Sequence, residues 1–70
     1  MSDVISVTVN GEERSLPAGA TVADLIRELG LSKAACAAEV NKALVPRKEH
    51  GSRKLSENDS VELVTLVGGG

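Results

Sequence analysis

No aromatic side chain occurs anywhere in the 70 residues, which removes the stacking platforms that bind single-stranded nucleic acids. Cationic excess is missing as well. Eight Lys and Arg stand against ten Asp and Glu, a net charge of −2, where a phosphate backbone demands a basic surface. Nucleic acid is therefore not an expected partner. One cysteine cannot close an internal disulfide, and no apolar run approaches the ~20 residues that span a bilayer. Met1-Ser2-Asp3 has neither the basic nor the apolar part of a signal peptide. A soluble, cytoplasmic protein with no membrane partner is expected. The length leaves room for one small domain and none for a cleft between lobes. At 41% apolar and 26% charged residues the chain should fold, although so short a chain does so with a thin margin.

Ile5, Val7 and Val9 alternate with Ser6 and Thr8, the period of a strand with one buried face. Asn10-Gly11 supplies the two positive-φ positions of a tight hairpin turn, so a second strand should return through Arg14 to Leu16. Pro17 and Gly19 then break the ladder. Thr21, answered three residues later by Asp24, reads as a capping box. Val22, Leu25, Ile26 and Leu29 form one apolar stripe, closed by Gly30 at the left-handed C-terminal position. The helix spans about two turns.

Ala35 to Val40 reads as a third, buried strand, although alanine propensity also permits helix. Asn41-Lys42 turns the chain into Ala43-Leu44-Val45, and Pro46 ends regular pairing. A polar loop follows to about Arg53. Lys54 and Leu55 pair briefly before the turn formers Ser56-Glu57-Asn58-Asp59, and a last strand runs from Val61 to Val67. A hairpin, a crossing helix and a final strand close as one helix on one face of a mixed sheet. The fold class is α+β: a β-grasp with four to five strands, the first and last parallel and central. Residues 1–67 form the domain and 68–70 a flexible glycine tail.

That tail, Gly68-Gly69-Gly70, is the feature most suited to chemistry. Glycine lacks a side chain and tolerates nearly any backbone conformation, so such an end can thread a narrow channel and present its carboxylate beside a nucleotide phosphate. A bare flexible tail is the bland alternative. Cys36 sits among alanines with no histidine or helix start beside it, and reads as a small core residue. His50 has no second ligand or triad partner within sequence reach, and reads as a solvated loop residue; no metal site is visible. The segment Lys42 to Lys54 carries +4 and the remainder −6. It reads as a solvated loop, with docking to an acidic partner the sharper alternative. In the last strand Val61, Leu63, Thr65 and Val67 share one face, yet Val64 and Leu66 are apolar too. Either Val64 and Leu66 form an exposed docking patch or a β-bulge shifts the phase.

The end LVGGG, the early VNG and the central EVNKALVPRKEH together resemble the thiamine-biosynthesis sulfur carriers, the ThiS family, over nearly the whole chain. The Gly-Gly end is shared by all ubiquitin-like carriers and modifiers; Val40-Asn41 and Val45-Pro46-Arg47 look particular to this carrier. Asn58 stands where the family has a glycine, and asparagine also tolerates the left-handed conformation. No aromatic precedes the tail. The resemblance implies a ubiquitin-like fold and no catalytic residue in this chain. An E1-like adenylyltransferase, using ATP and magnesium of its own site, would adenylate Gly70. A donor such as a cysteine desulfurase or a rhodanese-type protein would convert it to a thiocarboxylate, and thiazole synthase would take the sulfur. Gly68 and Gly69 would thread the partner's channel, Val64 and Leu66 would dock, and no cofactor would be bound here. A molybdopterin-synthase small subunit, a lysine-conjugated modifier and an interaction domain with an inert tail remain open.

Overall fold

The computed structural model describes residues 3–32 and 35–66. Strands β1 (Val4–Val9) and β2 (Glu12–Pro17) form a hairpin, helix α1 (Val22–Glu28) crosses, and β3 (Ala35–Val40), β4 (Ala43–Val45) and β5 (Ser60–Leu66) follow. The five strands lie in the order β2-β1-β5-β3-β4. β5 is parallel to β1 and antiparallel to β3, so the last strand is central, as its apolar content implies. The fold is the ubiquitin-like β-grasp.

Local chemistry accounts for the elements. Asn10 and Gly11 take φ of 50° and 86°, the positive values a two-residue hairpin turn needs. Pro17 belongs to β2 rather than ending it: it pairs in register with Val4 on the sheet's outer edge, where the missing N–H costs no ladder bond. Helix α1 has seven residues, too few to persist alone in water. Its first turn is fixed by a complete capping box. The Thr21 hydroxyl accepts from the Asp24 N–H at 3.2 Å, and the Asp24 carboxylate accepts from the Thr21 N–H at 2.9 Å. Packing does the rest: Val22, Leu25 and Ile26 are buried against Val7, Val9, Leu16, Ala38, Val40, Val61 and Leu63, each such side chain contributing ~1.5–3 kcal/mol.

The segment after β4 is more ordered than a polar loop. Arg47–Glu49 forms a 3-10 turn; the Ala23 N–H then donates to the His50 carbonyl at 2.8 Å and the Val22 N–H to that of Arg53 at 3.0 Å. The segment is thereby tied to the start of α1 on the covered side of the sheet. Of the brief pairing expected at Lys54 and Leu55, one bridge forms, between Lys54 and Thr21, and Asn58 adopts φ 70° in the last turn.

Candidate functional site

β5 carries the C-terminal residues, so its anchoring decides how firmly they are presented. It is paired with β3 from Val61 to Leu66 without a break in register, and this excludes a β-bulge over that span. Val61 and Leu63 face the helix and are buried, while Val64 lies on the opposite face and is 56% exposed. Leu66 ends the strand opposite Ala35; its side chain, with Val67 and the three tail glycines Gly68, Gly69 and Gly70, lies outside the described residues.

Two asparagines hold β5 from either side. At the β1–β2 turn the Asn10 carboxamide accepts from the Leu63 N–H and donates to its carbonyl. At the β3–β4 turn the Asn41 side chain accepts from the Ser60 N–H at 3.0 Å and donates to Asp59 at 3.0 Å. Asp59 is buried, and its second carboxylate oxygen accepts from the Ser56 N–H at 2.8 Å. The sequence marked both asparagines as turn residues and missed that their side chains brace the central strand.

The open face of the sheet follows from the register. Glu13, Thr8, Ser60, Glu62, Val64, Ala37, Glu39 and Leu44 lie on the side away from α1. Glu39 and Glu62 are Cα partners on adjacent strands and both are exposed. The Glu pair was not singled out in the sequence, since alternation alone does not say which residues stand opposite. The basic side chains Arg47, Lys48, Arg53 and Lys54 belong to the segment tied to α1, on a side that also holds Glu49 and the helix acids Asp24 and Glu28.

His50 is not a solvated loop residue. It is 8% exposed, and its Nε2 lies 3.1 Å from the Val45 carbonyl. Because a carbonyl only accepts, Nε2 carries the proton, and the ring fastens the turn after β4 to that strand. Its signal in the sequence was nil: one histidine among polar neighbours. Cys36 is partly buried against the core edge, in keeping with a packing role. Among the described residues no three His, Cys, Asp or Glu side chains come together, and no helix is long and apolar enough to cross a membrane.

The ThiS family model matches residues 7–70, which covers both asparagine clips, β5 and the glycine end. The chain belongs to the ThiS family. A thiamine biosynthesis protein (ThiS) from Geobacter metallireducens has a crystal structure similar to this fold, with a TM-score of 0.78 and 25% identity over 94% of this chain and 100% of that one. Thiazole synthases of Paramagnetospirillum magneticum and Magnetococcus marinus are 35% and 38% identical over 66 residues. The match covers 94% of this chain and 20% of each of those proteins, so the chain spans one fifth of the length of these relatives. An uncharacterized protein, ycf40, of Porphyra purpurea is 32% identical over 94% of this chain and 93% of its own length. A ThiS-family β-grasp is a small sulfur-carrier fold of thiamine biosynthesis.

Proposed function

We propose that this ThiS-family chain carries sulfur as a thiocarboxylate on Gly70 for the thiazole of thiamine. A carboxylate is a poor acylating agent. An E1-like adenylyltransferase, supplying ATP and magnesium, lets a Gly70 carboxylate oxygen attack the α-phosphorus, and pyrophosphate leaves. The terminal sulfur of a donor protein's persulfide then attacks the acyl carbon and AMP leaves, giving an acyl disulfide. A second thiol attacks the donor's sulfur, breaks the S–S bond and releases the thiocarboxylate. Thiazole synthase consumes it and returns the carboxylate. The chain itself lowers no barrier; it supplies reach and a nucleophile, while its partners supply the electrostatics.

The observation that carries this reading is a family match running through Gly70 on a domain whose last strand is braced on both sides. Thiazole synthases that contain a similar 66-residue stretch favour thiazole synthase as the consumer. Gly68 and Gly69 are assigned to the channel, and Val64 with Leu66 to docking, since Val64 is exposed in a strand that leads to the tail. The test is intact mass after incubation with the adenylating enzyme, MgATP and a persulfide donor. A sulfur-for-oxygen gain that disappears on addition of thiazole synthase and its substrates is the expected result, and an unchanged mass refutes the reading. A thiamine requirement on deletion separates this role from the molybdopterin pathway.

A further inference from the structure

We propose that the open face of the sheet docks a basic surface of thiazole synthase, and that the opposed carboxylates of Glu39 and Glu62 select it. This rests on the carrier reading above. The strand residues directed to this face include Glu13, Glu39 and Glu62 and no Lys or Arg. Glu39 and Glu62 stand directly opposite one another, an arrangement that destabilises a sheet. Among the described residues the one ion pair is Arg27 with Asp24, on the helix, so no cation offsets the repulsion.

The carboxylates are set between two exposed apolar side chains. Leu44, 67% exposed, is the partner of Glu39 on β4, and Val64, 56% exposed, lies two residues beyond Glu62 on β5. An apolar contact flanking unpaired acids fits a protein surface with an apolar centre and arginine or lysine around it. Docking would relieve the repulsion, steer the encounter and fix its orientation. Arg47, Lys48, Arg53 and Lys54 belong to the segment tied to the start of α1 rather than to the open strand face. Covalent continuity with thiazole synthase in two relatives identifies the occupant.

The experiment measures the Kd of the full chain for purified thiazole synthase of the same organism at low and high salt, beside thermal unfolding. The parent should bind more weakly at high salt. The double variant Glu39→Gln, Glu62→Gln should unfold at the same or a higher temperature, yet bind about tenfold more weakly at low salt with a smaller salt dependence. A control with the same change in net charge off this face, Glu12→Gln with Glu28→Gln, should bind as the parent does. Equal binding by the double variant, or equal weakening in the control, overturns the docking surface and leaves the carrier reading standing. A parent that does not bind thiazole synthase overturns both.

Discussion

The Asn10 side chain completes a strand ladder with Leu63. Its Oδ1 accepts from the Leu63 N–H at 2.8 Å and its Nδ2 donates to the Leu63 carbonyl at 3.1 Å, while the Asn10 N–H itself donates to the Val61 carbonyl at 2.9 Å. In a parallel pair the next bonds would come from main-chain groups of β1, but the backbone turns away at φ 50°. The carboxamide has the same acceptor and donor as a peptide group and takes its place. Asn41, at φ 53°, braces the other flank differently: its Oδ1 accepts from the Ser60 N–H while its Nδ2 donates to the Asp59 carboxylate. Both hairpin turns thus serve β5 as well as their own strands.

Asn10→Ala should cost about 2–5 kcal/mol, from two lost hydrogen bonds at ~0.5–1.5 kcal/mol each and the ~1–2 kcal/mol penalty of the left-handed conformation. Asn10→Gly removes the bonds and not the conformational fit, so it should cost about 1 kcal/mol less than the alanine. Urea unfolding measures both. Equal stability of the two variants would show that the backbone relaxes and that φ is not the constraint.

His50→Ala should destabilise the protein by about 2 kcal/mol, because it leaves the Val45 carbonyl without its partner beside a small void. Sulfur loading by the adenylating enzyme should be unchanged at temperatures where the variant is folded. A variant as stable as the parent would mean that water replaces the ring without loss.

The order of elements along the chain and the covered face were legible because period-two alternation, Asn-Gly, the Thr21–Asp24 box and Gly30 each have a local physical cause. His50 was not, since burial of a lone polar ring depends on a carbonyl five residues away in a connection with no repeating pattern. Alternation predicted Val64 as an outward side chain. It said nothing of Glu39 facing Glu62, because register between strands separated by a long connection is set by the turns and the core. Lys42 at φ 70° is a turn residue for which glycine would be the obvious choice; the position in the turn was evident and its conformation was not.

Acid should weaken the helix start. The Thr21 N–H, then the Thr21 hydroxyl, lower the Asp24 carboxyl below its ordinary value of 3.8, with a smaller contribution from Arg27 and partial burial opposing. A depressed carboxyl stabilises the fold above its unfolded pKa and ceases to do so as pH falls through the folded one. Asp24→Asn should therefore unfold at a lower temperature than the parent at neutral pH, and the gap should close as the pH falls below 3.8. A gap that stays constant into strong acid would show that the box works without its charge.

On the proposed carrier role, changes at the glycine end should separate function from folding. Three extended residues reach about 10 Å, enough to carry a carboxylate into a site that a folded body cannot enter, provided no side chain widens the chain. On the carrier reading, deleting Gly70 would withdraw the reacting group by one residue, and Gly70→Val would place two methyls beside the acyl carbon where AMP and the incoming sulfur would both have to fit. Gly70 has no side chain to lose, and both changes leave the core residues Val7, Leu25, Val40 and Val61 in place, so unfolding should stay within ~0.5 kcal/mol of the parent. Adenylation-dependent thiocarboxylate formation should fall by orders of magnitude in both. Variants that load sulfur at the parental rate would show that the reacting group is not the Gly70 carboxylate.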